Sequence, residues 1–315
     1  MIQKPIRLRD FVEDRDGWIY AVSTYDNREK VGCLLRYVPD TEGERVNPEG
    51  TRFRKLDFSD AFDLISREKP EYLDVVHRIP RCDIRKVYKP EEEIGAIAVR
   101  EPRIRKLIDL FRLPDCTIGC TGSFLCGLEN VHSDIDLVVY GKTWFRAQEL
   151  LRSATLNGNL PPIDSGTWQK IYAKRNPELP FLEFLLHEKR KWNRGQIDST
   201  YFDLLFTRSY EELNSLSLSK GEKLGGTTIE AVVTDASLAN DSPAIYLVEH
   251  EEIARVLSFT HTYSGQALSG ERIQAKGVCE QHGDERWLIV GTTREARGEF
   301  IRSLSLLEES QAGSG

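Results

Sequence analysis

Between Gly119 and Lys142 the chain reads GCTGSFLCGLENVHSDIDLVVYGK, and within it SDIDLVVY sets the tightest limit on what can fold here. Ile135, Leu137, Val138 and Val139 call for a buried strand. Asp134 and Asp136 stand at its entrance with one residue between them. Alternate strand residues share a face, so the two carboxylates are expected side by side, with Cα atoms roughly 6.5 Å apart. Like charges so placed repel, and each loses hydration, so the pair needs a compensating cation. A hard divalent ion such as Mg²⁺ (or Mn²⁺) suits oxygen ligands. Two such ions held about 4 Å apart can activate a nucleophile and stabilise a leaving oxygen in phosphoryl transfer.

A metal pair needs a third acid. Asp203, alone in the aromatic and apolar run YFDLLF, is the first candidate, and Asp198 in GQIDST competes as a turn residue. Upstream, the TGS turn precedes FLCGLEN, which has the length of a short helix. A strand, a glycine turn and a helix start together present backbone N–H groups and a partial positive charge to an anion. Gly122 lets the chain approach a phosphate closely, and Ser123 offers an N–H and a hydroxyl. Each feature has an ordinary reading as well: Ser is a common N-cap, and Ser133 and Asp134 suit a solvated turn. The combination, Gly-Ser followed after ten residues by Asp-x-Asp on an apolar strand, is far more specific than its parts.

That combination resembles the signature of the DNA polymerase beta-type nucleotidyltransferase superfamily: an apolar strand, Gly-Ser, a short helix, Asp-x-Asp opening a second strand, and a later third acid. The resemblance implies transfer of an NMP from an NTP to an acceptor hydroxyl, with release of pyrophosphate. Position by position, it implies that Gly122 and Ser123 take the triphosphate. Asp134, Asp136 and Asp203 would hold the metals, and Asp203 would also help activate the acceptor. The three-part order of the chain looks like an archaeal group of predicted nucleotidyltransferases, a likeness that brings no substrate with it. The residues alone lead only as far as metal-assisted phosphoryl transfer.

With 315 residues the chain is long for one domain. The expected fold class is multidomain α+β. Residues 1–98 form a small α+β module, 99–212 a nucleotidyltransferase-type α/β domain with a mixed sheet, and 213–315 a small β-barrel of OB-like type. The first part offers the β-rich runs GWIYAVSTYD and KVGCLLRYVPD, then an amphipathic helix from Asp57 towards Pro70. In the second, Pro102 opens a helix with Ile104, Leu107, Ile108 and Phe111 on one face. The third offers five strand-like runs at short intervals, and its tail EESQAGSG is expected to be disordered.

A formal charge of −7 argues against a protein that coats nucleic acid. The C-terminal part carries nine Lys and Arg against fifteen Asp and Glu, which opposes phosphate tracking. Its Tyr246, Phe259, Tyr263 and Trp287 suit a core as well as a stacking surface. The N-terminus lacks a signal-peptide apolar core and no apolar run reaches membrane-spanning length, so a cytoplasmic chain without membrane contact is expected. Six scattered cysteines point to reduced thiols rather than a disulfide framework.

Two basic runs remain. HEKRKWNRG places Lys189, Arg190, Lys191 and Arg194 at a helix end, where cations favour the dipole. Lys191 and Arg194 are the residues expected to reach the nucleotide. VNPEGTRFRKL sets Arg52, Arg54 and Lys55 beside Phe53, a pattern that also fits the exposed face of a strand. GTTREARGE suits a threonine-capped helix entry. The expected partners are an NTP and an acceptor that is RNA or a protein. The competing reading is a non-catalytic RNA- or nucleotide-binding protein that keeps a nucleotidyltransferase fold.

Overall fold

The computed structural model of the chain describes residues 4–213, 220–292 and 297–313. Chain contacts divide it into two units, Met1–Pro161 with Gly195–Ser217, and Pro162–Arg194 with Leu218–Gly315. The architecture is mixed α+β, with three sheets and, among the described residues, seven α-helices.

The first unit opens with β1 (Phe11–Asp14), β2 (Ile19–Val22), β3 (Lys30–Pro39), β4 (Arg45–Val46) and β5 (Arg52–Lys55). After α1 (Phe58–Glu68) come β6 (His77–Pro80) and β7 (Ile84–Tyr88). These seven strands make one sheet in the order β4-β5-β3-β2-β1-β7, with β6 also on β3. The α1 helix starts where its sequence says it should: the Asp57 side chain accepts from Asp60 N, an N-cap bond. Its Ala61 and Ile65 pack with Val12, Tyr20, Val22, Val31 and Leu35 of the sheet.

Then α2 (Pro90–Arg100) and α3 (Pro102–Phe111) lead to β8 (Ile118–Thr121), β9 (Ile135–Tyr140) and α4 (Thr143–Leu156). The hairpin β10 (Arg194–Ile197) and β11 (Thr200–Thr207) completes a four-stranded sheet ordered β10-β11-β9-β8. The sheet is mixed, since β11 runs parallel to β9 and β8 antiparallel to it. Ile118, Cys120, Ile135, Leu137, Val139, Phe202, Leu204 and Phe206 point to one face, against Ile104, Leu107 and Phe111 of α3 and Trp144, Ala147 and Leu151 of α4. Burying several such side chains contributes roughly 1.5–3 kcal/mol each, which fixes the register of every residue on the opposite face.

FLCGLEN does not form the expected helix. Residues 122–127 are turns. Gly127 N donates to Phe124 O, Leu128 N donates to Ser123 O, and Gly127 has φ 66°. Leu125, Cys126 and Leu128 are drawn into an apolar cluster with Phe11, Ile19, Tyr37 and Phe53 of the first sheet. Long-range packing therefore overrides the local helical spacing, and the segment offers no helix dipole to an anion.

The second unit contains α5 (Ser165–Arg175) and α6 (Phe181–Arg190), then six strands and a last helix. The strands are β12 (Glu222–Leu238), β13 (Ala244–Glu249), β14 (Ile253–Ser258), β15 (Arg272–His282), β16 (Glu285–Val290) and β17 (Phe300–Ser303). Their order is β12-β13-β14-β16-β15-β17, and β15 also pairs with β12. Residues 162–194, grouped with the middle part when read from sequence, belong to this unit.

The tail is the other departure: Leu304–Ala312 forms α7, with Ser303 as N-cap and an ion pair from Arg272 to Glu308, while residues 314–315 lie outside the described residues. Of GTTREARGE, residues 293–296 lie outside the described residues. Thr292 is bonded to Glu299 through its N–H and hydroxyl. Among the described residues no helix is long and apolar enough to cross a membrane.

Candidate functional site

On the face of the four-stranded sheet opposite its core, Asp203 of β11 lies directly beside Asp136 of β9 in the parallel register. Neighbouring strands run about 4.8 Å apart, so the backbones set the two aspartates side by side on one face. Thr121 flanks Asp136 on the other side. The chain then turns at Gly122, whose φ is 72°. A Cβ at that position would lie 2.8 Å from Asp136 Oδ2, so a side chain there strains the backbone and forces the carboxylate to shift. Tyr201, two residues before Asp203 and so on the same face, donates its hydroxyl to Asp203 Oδ1 at 2.7 Å.

Asp134 lies one residue before β9 and is exposed, whereas Asp136 and Asp203 are half-buried. Ser123 is tied to the loop that ends at Asp134: its hydroxyl and that of Ser133 are 3.1 Å apart. Asp198 is, as read from sequence, a turn residue. With Ser199 it forms the two-residue link between β10 and β11, at φ 45° and 64°. Its carboxylate meets Lys106 Nζ at 2.7 Å. His132 is exposed in the loop.

The donor set fits a hard divalent cation. Asp136 and Asp203 supply carboxylate oxygens side by side, and the space a Cβ at Gly122 would fill is left open against Asp136. Among the described residues no group of three or more His, Cys, Asp or Glu side chains is gathered to hold an ion by itself. Mg²⁺ commonly uses one or two carboxylates and completes its shell with phosphate oxygens and water.

Lys191 and Arg194 belong to the second unit. Both are buried there, with Lys191 Nζ 2.5 Å from Glu188 Oε1 and 2.8 Å from Thr262 O, and Arg194 ion-paired to the same glutamate. Two cations on one buried carboxylate form a structural core of that unit. Arg190 pairs with Glu271 of the same unit, while Lys189 is exposed. Tyr246, Tyr263 and Trp287 are buried, leaving Phe259 as the exposed aromatic of the four. Of the other basic run, Arg54 pairs with Asp40 and Arg52 donates to Gly43 O.

With this geometry in place, similarity to known proteins becomes informative. The chain is 36% identical to Uncharacterized protein MJ1086 of Methanocaldococcus jannaschii, over 94% of this chain and 98% of that protein. The chain belongs to that protein's family. No family model matches it, and no solved structure does.

In this member of the family, two residues near the acids escape a reading by motif. Tyr201 was legible in principle, since period two places it on the face of Asp203. Arg45, from the first sheet, donates from Nη1 to Leu128 O at 3.1 Å and to Ser133 Oγ at 3.3 Å. No local pattern signals it, because its partners lie more than eighty residues away in the chain.

Proposed function

We propose that the first unit is a metal-dependent nucleotidyltransferase of the DNA polymerase beta type, which moves an NMP from an NTP to an acceptor hydroxyl. The observation that carries this reading is the register match of Asp136 and Asp203 beside the glycine turn at Gly122, which packs against the Asp136 carboxylate. Both carboxylates would hold Mg²⁺, with Asp134 reaching in from the strand entrance. The ion would supply charge neutralisation at the phosphates. Ser123 and the turn at Gly122 would hold the triphosphate through backbone N–H groups and a hydroxyl. Asp203, oriented by Tyr201, would take the proton of the acceptor hydroxyl. The acceptor oxygen forms a bond to the α-phosphorus, and the bond to the departing pyrophosphate breaks with its electron pair.

The second unit supports an OB-like reading: β12-β13-β14-β16-β15 pair in sequence, β15 returns to β12, and β14 runs parallel to β16. The acidic balance of residues 213–315 favours a role other than tracking phosphates, so a protein acceptor fits it better than RNA.

One observation favours the non-catalytic alternative, nucleotide binding without transfer: Asp134 stands outside the strand and is exposed. Incubation with each α-labelled NTP, Mg²⁺ and candidate acceptors (total RNA, protein, small alcohols) separates the two. Label transferred with release of pyrophosphate supports the enzyme. Mg²⁺-dependent NTP binding with no pyrophosphate supports the alternative.

A further inference from the structure

The hairpin that carries VNPEGTRFRKL has a role that its exposed charges do not explain. It belongs to the first unit, as does the loop from Gly122 to Asp134. It touches that loop at two points. Arg45 on β4 donates to Leu128 O and to Ser133 Oγ. Pro48, in the turn of the hairpin, lies against Gly127, where a Cβ would come within 2.9 Å of its Cδ. Gly127 holds φ 66° at this contact, so the loop is shaped to receive the hairpin.

We infer that Arg45 is a positioning residue for nucleotide binding, acting through Ser133 on Ser123. The inference rests on the nucleotidyltransferase reading of the site. Ser133 is the junction. Its Oγ takes the Arg45 guanidinium, accepts from Asn130 N at 2.9 Å, and is 3.1 Å from the Ser123 hydroxyl. The Arg45 side chain is 11% exposed, and its Nε lies 3.7 Å from Glu44 Oε1 with no hydrogen bond of its own. A guanidinium held this far from water fixes its partners better than a mobile lysine would. The two strand aspartates do not depend on it. Asp136 and Asp203 are held by the β9–β11 ladder, whereas Ser123 sits in a segment with turns and no ladder. Loss of Arg45 should therefore loosen the phosphate side of the site and spare the metal side.

This assigns the N-terminal module a part in substrate binding in cis. Four of its sheet residues, Phe11, Ile19, Tyr37 and Phe53, also bury the apolar residues of the same loop.

The test is steady-state kinetics of NMP transfer by the full chain with Mg²⁺, comparing Arg45→Ala, Arg45→Lys, Ser133→Ala and the double variant with the parent. A charge-assisted hydrogen bond lost from a positioned loop corresponds to an effect of about tenfold or more. The expected result is a KM for NTP raised by about that factor in Arg45→Ala and Ser133→Ala, with kcat within about threefold of the parent. Arg45→Lys should recover part of the loss, and the double variant should be no worse than the poorer single one. If Arg45→Ala does not fold, Ser133→Ala carries the same test, since it removes one hydroxyl only. A parent that turns over NTP, with KM unchanged in the variant tested, overturns the inference and leaves the enzyme reading standing. A parent without NTP turnover or binding overturns the enzyme reading, and the inference falls with it.

Discussion

Gly122 and Asp136 are packed so that a single added methyl on the glycine would stand 2.8 Å from the aspartate's Oδ2. At φ 72° the position also disfavours any side chain. Gly122→Ala is expected to lose stability by roughly 1–2 kcal/mol from backbone conformation alone. It should also lose Mg²⁺-dependent NTP binding, because the methyl displaces the carboxylate. Chemical denaturation and nucleotide titration of the same preparation separate the two effects.

Register separates the two candidates for the third acid. Asp203 is the cross-strand neighbour of Asp136, and Asp198 is a hairpin-turn residue paired with Lys106. Asp203→Asn should lower kcat for NMP transfer by at least about a hundredfold, as loss of a proton acceptor and metal ligand would. Asp198→Asn should leave kcat and KM unchanged, since Asn tolerates the positive φ and an exposed ion pair contributes at most about 1 kcal/mol.

The buried ion pairs of Lys191 and Arg194 predict an effect on stability. Lys191 and Arg194 share the buried Glu188. Glu188→Gln leaves both cations buried without their carboxylate, and breaking such a group costs about 3–5 kcal/mol. Urea unfolding should show that loss. Where the variant still folds, its NTP affinity should match the parent's.

His187 ties α6 to β17. Its Nε2 accepts from Ser303 N at 3.0 Å, so the proton sits on Nδ1, 2.8 Å from Glu183 O. Burial pushes its pKa down from 6.5 to about 4, with the neighbouring Lys191, Arg190 and Arg302 adding to the shift and the Glu183 carbonyl opposing it. The folded form therefore refuses a proton that the unfolded chain accepts. The associated stability is present above pH 6.5 and falls as pH drops, with the loss complete below about 4. It amounts to something on the order of 3 kcal/mol. Denaturant midpoints measured across that range should slope downwards towards acid in the parent and flatten in His187→Gln.

How much of this was legible in the sequence depended on the range of the forces involved. β9 and α3 follow from apolar residues at strand and helix spacing, and the structure places them at Ile135–Tyr140 and Pro102–Phe111. FLCGLEN carries similar local spacing, yet its apolar residues are claimed by Phe11, Ile19, Tyr37 and Phe53, about a hundred residues upstream or more for the first two. The helix α5 has only Trp168 and Ile171 buried, too little periodicity to stand out. The pairing of Glu188 with Lys191 lies at i, i+3 and was readable as a helix-surface pair, but its burial was not, because Thr262 and its neighbours enclose it from seventy residues away. The facing of Asp136 and Asp203 needed the register of β11 on β9, which no single segment encodes.

Under the proposed function, Asp136 and Asp203 together hold the metal for nucleotidyl transfer. The most direct measurement is pyrophosphate release and label transfer from α-labelled NTPs with Mg²⁺, comparing the parent chain with Asp136→Asn after both are shown to be folded by circular dichroism. Mg²⁺-dependent release is expected from the parent and its loss from Asp136→Asn. Equal release from both proteins would rule out a metal-binding role for Asp136.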